Sequence, residues 1–430
     1  MPQLQLPYDR STLEFSLPDK LEVKTILPRP VEPIEDPRSA LLDAMASPVG
    51  TRPLDIQLAG FNGRILILVS DHTRVSGKER VLPWLLDYLN NLGVPDSRIE
   101  ILMALGSHTP PDDDKFRATI GPAIDRVKVH KHDPENNLID CGKTTRRTPV
   151  RINGMIRDFD LIIPYTSIVH HYFAGFGGGR KIFLPGIASL ESIAANHSLV
   201  FEGTSKSGGR NPLVFSGSLD GNPVHEDMLE ASRLTLGDTP CFSIATVLTP
   251  DRQFGFFKAG DLNQTHRMAC DFANRVYVIN VESKADVIIA SAGGYPKDTN
   301  VIQSHKGMDN VIHVLKPGGT LVYLMSCSDG YGHAAITDFA PLELKAVRTR
   351  LAENYIVYGQ TVYALKEKAR DYKITLVTGL PSDFADSLGM RHSDGLEEAL
   401  ASISPEIETA QLVYHVPRAD ITLPRCFPDH

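Results

Sequence analysis

Thiols, basic charge and long apolar runs are all scarce in this chain, and each shortage argues against a class of function. The five cysteines (Cys141, Cys241, Cys270, Cys327 and Cys426) are scattered, odd in number and form no Cys-x-x-Cys pair. That argues against a thiolate zinc site and fits reduced thiols in the cytoplasm. Lysine and arginine number 44 against 52 acidic residues, a net charge of −8. A surface that tracks phosphates shows a basic excess, so nucleic acid is not expected as a partner, although a local basic pocket for a small anion is compatible with the balance. No apolar run reaches the roughly 18 residues of a membrane span, and the N-terminus has no basic segment followed by an apolar one, so no signal peptide is expected. Familiar site motifs are missing too. There is no His-Glu-x-x-His. The glycines at 177–179 form no Walker loop, because Ile182 follows Lys181, and no dinucleotide fingerprint, because Arg180 stands where glycine or alanine is needed.

What is present is an ordinary globular composition, 42% hydrophobic and 22% charged over 430 residues, enough for two or three domains. Residues 1–60 are proline-rich, and ILPRPVEPIEDPRS at 26–39 reads as extended, linker-like chain. Arg64–Val69, Ile99–Leu105 and Asp160–Ile163 are continuous apolar runs, the pattern of strands buried on both faces. Between the first two, Leu82, Leu85, Leu86 and Leu89 share one face of a helix over Glu79–Leu92. A second series follows: strands at Asp286–Ala290, Thr320–Met325 and Lys373–Val377, with a helix at Met308–Leu315. Residues 261–280 read as a bridging helix. Alternating strand and helix signals predict an α/β protein of two α/β domains with parallel-type sheets and an active-site cleft between them. The N-terminal domain is expected over 1–270, joined by the C-terminal 412–430, and the C-terminal domain over 280–410.

Ligands of open parallel sheets sit beyond the carboxyl ends of the strands, and four polar, glycine-containing segments follow strands here. After Val69 comes Ser-Asp71-His-Thr73-Arg74. Asp71 and Thr73 suit helix capping as well as ligand binding, and Arg74 suits a phosphate. After Leu105 comes His108, either a solvated loop histidine or a proton-transfer group. After 160–163 come His170 and His171, which would face opposite ways on a strand, then Gly177, Gly178 and Gly179, either a floppy loop or a backbone that approaches an anion closely. Lys181 is a surface lysine or, held against Phe173, Phe176, Ile182 and Phe183, an amine made nucleophilic by its apolar walls. His197 shares a helical face with Leu190, Ile193 and Ala194, as a core histidine or a metal ligand. Metal binding, phosphate binding and covalent attachment to lysine each explain part of the HHYFAGFGGGRK stretch at 170–181.

The residues from 170 to 197, HHYFAGFGGGRKIFLPGIASLESIAANH, resemble the signature of the nickel-dependent lactate racemase family. SDHTR at 70–74, ALGSH at 104–108 and GGYPKDTNVIQSHK at 293–306 are similar to further family motifs, in the family's order. The resemblance implies a cytoplasmic isomerase, a racemase or epimerase that inverts the α-carbon of a 2-hydroxy acid. It implies a nickel-pincer nucleotide (pyridinium-3,5-bisthiocarboxylic acid mononucleotide nickel) tethered to Lys181, with His197 completing the nickel plane. Two sulfurs and an imidazole suit Ni(II). It further implies His108 and His171 as the two bases, Asp71, Thr73, Arg74 and Gly177–Gly179 near the cofactor, and Gln303, Lys306, Tyr295 and Tyr358 at the substrate. Expected partners are the 2-hydroxy acid, the cofactor-synthesis enzymes and a second copy of the chain. The chain departs from the pattern at Val75, at Ile302, where the lactate enzymes have tyrosine, and at Val357-Tyr358, where they have tryptophan. The only tryptophan is Trp84. These departures lie along the substrate wall, so the expectation widens from lactate to larger or differently shaped 2-hydroxy acids, sugar acids included. An oxidoreductase using a diffusible nicotinamide cofactor and a non-catalytic binder of a small anion are the alternatives.

Overall fold

Ile65–Ser70, the most apolar run in the sequence, is the centre of a six-stranded sheet, with Ile65 through Val69 all at 0% exposure. The computed structural model describes residues 3–204 and 208–426. Two units emerge from it: Pro30–Val200 with Pro212–Arg275, and Met1–Arg29 with Phe201–Asn211 and Val276–His430. They are called the first and second unit below.

In the first unit the strand order is Phe254–Gly260, Ser243–Leu248, Leu161–Ser167, Ile65–Ser70, Ile99–Ala104, Lys128–Lys131. All neighbours are parallel except the Ser243–Leu248 and Phe254–Gly260 pair. A central strand in such a sheet has no solvent face, which is why its sequence is unbroken apolar rather than alternating. The Lys78–Asn91 helix covers one side, burying Val81, Leu82, Leu85, Leu86 and Leu89 as their spacing predicts. From Ile65–Ser70 the chain first moves outward to Ile99–Ala104 and Lys128–Lys131. It then returns to place Leu161–Ser167 on the opposite side. The direction of winding therefore reverses between the Ile65–Ser70 and Leu161–Ser167 strands, and the crevice at such a reversal is where α/β sheets hold ligands.

The second unit repeats the logic with an all-parallel sheet in the order Arg391–Ser393, Lys373–Val377, Leu315–Leu324, Ala285–Ser291, Leu412–Val416, Glu22–Thr25. Its reversal lies between Ala285–Ser291 and Leu412–Val416.

Two sequence expectations need correction, and the N-terminal segment holds strands and a helix that its sequence did not announce. Of the expected 412–430, the described residues 412–426 go with the second unit and not with the N-terminal domain. Leu412–Val416 is buried throughout and inserts beside Ala285–Ser291, while Leu423–Cys426 pairs with Val278–Val281. The LVYHV run is buried at every position and needs cover on both faces, and an interior slot of the second sheet supplies it; residues 427–430 lie outside the described part. The ILPRPVEPIEDPRS segment carries no helix or strand from 26 to 36, but around it Leu4–Tyr8 and Ser11–Phe15 form a hairpin, Glu22–Thr25 is the edge strand of the second sheet, and Pro37–Ala46 is a helix capped by Asp36. The helix expected at Met308–Leu315 instead runs Val301–Val311. Asn300 caps it by accepting from the Gln303 amide at 3.1 Å, and Leu315 already belongs to a strand.

Candidate active site

In the first unit, Asp71 leaves the carboxyl end of the Ile65–Ser70 strand and is 3% exposed. Its Oδ1 accepts from the Thr73 amide at 2.7 Å and the Thr73 hydroxyl at 2.6 Å. Its Oδ2 faces His108 Nδ1 at 2.5 Å. Burial alone would raise this carboxyl's pKa. The charge and hydrogen bond of His108, the charge of Arg74 and the bond from Thr73 outweigh burial and hold it well below the usual carboxylate range. Both Asp71 oxygens thus accept within the protein, and Oδ2 holds His108 by its Nδ1. The turn is fixed from beneath by buried Lys78, whose ammonium donates to the Asp71 and Arg74 carbonyls at 2.9 Å each. Burial pushes the Lys78 pKa down to about 8. Arg74 is half-buried, and its guanidinium makes no hydrogen bond or ion pair among the described residues.

The Leu161–Ser167 strand leads into the glycine run. The Gly178 and Gly179 backbones sit at φ +67° and +53°. A Cβ on Gly178 would lie 2.5 Å from Ile168 Cδ1, and one on Gly179 would lie 2.5 Å from His266 Cδ2. The Gly177 amide donates to the Val169 carbonyl at 2.8 Å and the Gly179 amide to the Thr166 hydroxyl at 2.9 Å. Gly178 and Gly179 are therefore demanded by the fold itself, and the Gly177 and Gly179 amides already have partners within it. What the tight path achieves is a sharp divergence of neighbouring side chains. Arg180 is 1% exposed and turns into the core, where it donates to His266 Nε2 at 2.7 Å and to the Ala174 carbonyl at 2.6 Å. Lys181, the next residue, places its ammonium 5.2 Å from the centre of the Phe173 ring.

Phe173 gathers the other candidates. The His197 ring meets it edge-on at 4.8 Å and the His171 ring at 4.5 Å. His170 goes elsewhere, to Phe176 at 4.7 Å and Asn274 at 2.9 Å, so the two adjacent histidines diverge. His197 sits on the buried face of the Leu190–Ser198 helix, capped by Ser189. Its pKa is pushed down to about 3, by burial first and by the Lys181 charge second, so the imidazole is neutral. The loop carrying His108 is tied to the same region: the Gly106 amide donates to the Gly186 carbonyl at 2.8 Å, and the Gly186 amide to the Lys181 carbonyl at 3.0 Å. Lys181, His171, His197, Asp71 and His108 thus all lie at the carboxyl ends of one sheet.

In the second unit, Tyr295 follows the end of the Ala285–Ser291 strand at that sheet's own reversal. It is 46% exposed, with the Arg10 guanidinium 3.8 Å above its ring. Gln303 and Lys306 share a face of the Val301–Val311 helix, and the Lys306 ammonium donates to Gln303 Oε1 at 2.8 Å. Tyr358 caps the Gly359–Asp371 helix in a left-handed conformation, φ +73°, with the His333 ring 4.9 Å from its own.

Sequence reasoning missed the supporting residues. Lys78, Asp227, Asn222 and His266 lie outside the quoted motifs, two of them on helices far along the chain, and Asn196, inside the signature, was given no role. Asn222, for example, donates to the Phe173 carbonyl at 2.9 Å and so fixes the ring around which the site is arranged. Among the described residues no three or more His, Cys, Asp or Glu side chains form a metal-binding group, and no helix is long and apolar enough to cross a membrane.

Comparison with known proteins agrees with this geometry. Residues 8–208 match the lactate racemase N-terminal domain and residues 280–418 the lactate racemase C-terminal domain. The lactate racemase of Thermoanaerobacterium thermosaccharolyticum is 31% identical over 338 residues, covering 77% of this chain and 76% of that one. That of Lactiplantibacillus plantarum is 31% identical over 337 residues, with the same coverage. The solved structure of the lactate racemase apoprotein from Thermoanaerobacterium thermosaccharolyticum superposes with a TM-score of 0.87 at 26% identity, covering 99% of this chain and 100% of that one. A Thermotoga maritima protein shares the fold at a TM-score of 0.65 and 16% identity, covering 91% of this chain and 98% of its own. On the strength of both domain matches and these relatives, the chain belongs to the lactate racemase family.

Proposed function

We propose that this protein is a racemase or epimerase of a 2-hydroxy acid and that it works with a nickel-pincer nucleotide attached to Lys181. The observation that carries this reading is the grouping of Lys181, His197 and His171 around Phe173. The residues fit such a group. The Lys181 amine lies against an aromatic face, suited to a flat organic substituent, and His197 is a neutral imidazole able to donate a lone pair to nickel. Since the described residues form no metal-binding cluster, the remaining donors would come from the nucleotide's sulfurs, which suit Ni(II) alongside imidazole. Half-buried Arg74 is suited to the nucleotide phosphate.

When bound, the group would supply reversible hydride-acceptor chemistry at the substrate's α-carbon. The protein supplies the proton chemistry. His108, with Nδ1 held by Asp71, presents Nε2 as the base for the hydroxyl proton of one enantiomer. His171, half-buried beside Phe173, serves the other. Lys306, steadied by Gln303, holds the substrate carboxylate. Tyr295 and Tyr358 are the second unit's further candidates for the substrate, and Tyr358, with the His333 ring 4.9 Å from its own, stands where the lactate enzymes have tryptophan, so the reading extends to 2-hydroxy acids other than lactate.

The test is co-expression with cofactor-synthesis enzymes, followed by intact-protein mass spectrometry, nickel analysis and a panel of chiral α-deuterated 2-hydroxy acids. The expected result is a mass increment on Lys181, one nickel per chain, and inversion with deuterium kept in the product. An unmodified Lys181 together with no inversion of any member of the panel would refute the reading.

A further inference from the structure

His197 is not an isolated ligand candidate. Its Nδ1 lies 3.2 Å from Asn196 Oδ1. The Asn196 amide nitrogen donates to Asp227 Oδ2 at 2.8 Å and to the Val224 carbonyl at 3.2 Å. Asp227 Oδ1 in turn accepts from the Thr144 hydroxyl at 2.5 Å. Asn196 and Asp227 are both 0% exposed.

This chain of bonds has only one consistent direction. A carbonyl and a carboxylate can only accept, so the Asn196 end that faces them is the NH2. Its oxygen therefore faces His197, and His197 Nδ1 must carry the proton. The lone pair is then on Nε2, the nitrogen free to bind a metal. A ligating histidine that passes its other N–H toward a carboxylate is oriented and made a better donor by that partner. Here the carboxylate acts through an intervening amide, and it arrives from the Pro223–Leu236 helix, outside every motif that marks the site.

We propose that Asn196 and Asp227 are positioning residues for the nickel ligand: Asn196 fixes the tautomer and rotation of His197, and Asp227 fixes Asn196 and adds negative charge behind the imidazole. This rests on His197 being the protein's ligand to nickel. The network explains why the residue preceding the histidine is an asparagine in a fully buried position, where a leucine would satisfy packing alone.

The experiment uses the loaded enzyme and three variants, His197→Ala, Asn196→Leu and Asp227→Asn. It measures nickel loss to a chelator, the absorption bands of the nickel centre and the mass at Lys181, below the melting temperature of each variant. Asp227→Asn is isosteric, and near-UV circular dichroism checks its fold. If it does not fold, Thr144→Val reads the same chain from its far end. Expected are complete loss of nickel in His197→Ala with the Lys181 increment kept, nickel loss about 10- to 100-fold faster in Asn196→Leu, and a smaller acceleration with shifted bands in Asp227→Asn. A purely structural role would lower the melting temperature and leave the bands where they are. Wild-type nickel retention in His197→Ala would overturn the ligand assignment and this inference together. Nickel lost in His197→Ala but held with wild-type half-time and bands in the other two would overturn the inference alone.

Discussion

Replacing Asp71 by asparagine changes one atom and should reverse the chemistry of His108. The carboxylate serves two donors on Oδ1, the Thr73 amide and hydroxyl, and one on Oδ2, His108 Nδ1. An asparagine side chain has one oxygen to place. The Thr73 backbone N–H can only donate, so the oxygen stays there and the new NH2 turns toward His108. His108 Nδ1 must then accept, which moves its proton to Nε2, and the nitrogen offered to the substrate ceases to be a base. Two losses combine. A hydrogen bond to a charged partner is worth about 1.5–3 kcal/mol, and positioned general-base catalysis contributes about 10²–10⁴-fold.

Steady-state interconversion in Asp71→Asn should therefore fall by roughly 10²–10⁴-fold, in both directions alike, because each direction needs both bases. The nickel content and the Lys181 mass should be those of the wild type. The discriminating assay is a single turnover with each pure enantiomer, quenched and analysed for the keto acid. The enantiomer whose hydroxyl faces His171 should still give ketone at the wild-type rate, and the other should not. Interconversion within threefold of wild type, or equal slowing of ketone formation from both enantiomers, would refute the pairing of Asp71 with His108 as a catalytic device.

Three further outcomes follow from burial. Gly179→Ala puts a Cβ at φ +53° and 2.5 Å from His266; roughly 2 kcal/mol of stability should be lost, about 4–8 °C in melting temperature, and a melt within 1 °C of wild type would count against the packed-loop account. In the second unit, Asp309 holds buried Lys368 at 2.9 Å and Arg210 at 3.4 Å, so Lys368→Met should cost about 3–5 kcal/mol by denaturant titration, and a cost below 1 would refute the importance of the pair. His225 and His305 are buried, with pKa values pushed down to about 2 and about 3, by burial foremost. Their neutral forms are favoured in the native state while the unfolded chain takes up protons below about pH 6.5. Stability should thus be intact above pH 6.5 and fall on the order of 2 kcal/mol per group between pH 7 and 5, and urea titrations giving equal stability at those two pH values would show the reverse.

The sequence made the strands legible because burial on both faces leaves an unbroken apolar signature, as at Ile65–Val69 and Val287–Ala290. It made the strand exits legible for the same reason: once an apolar run ends, the polar residue that follows it, whether Asp71 or Tyr295, stands at the carboxyl edge of a sheet. Periodicity also placed His197 on the buried face of its helix. The N-terminal segment was illegible because short strands such as Glu22–Thr25 draw their stability from a partner, here Leu412–Val416, nearly four hundred residues away in the chain. No local pattern records that pairing.

The same limit divides the site. Residues that meet the chemistry cluster near strand exits and helix starts, where motifs form, whereas those that hold them in place are set by distance in space. Asp71 shows how the two classes blur. It stands in the SDHTR motif, and its oxygens also accept from Thr73 and His108, which ties one motif to the other. Asp227 shows the opposite case, an ordinary acidic residue in a helix whose carboxylate ends a buried chain leading to His197. A carboxylate that is 0% exposed must have its lone pairs answered, so its partners, read in both directions, say more about function than its position in any motif. By that criterion the imidazoles of this site divide the labour. His108 is backed directly by a carboxylate, which suits a group that gains and loses a proton. His197 is backed through a neutral amide, which suits a group that must keep its proton on Nδ1 and its lone pair on Nε2 throughout.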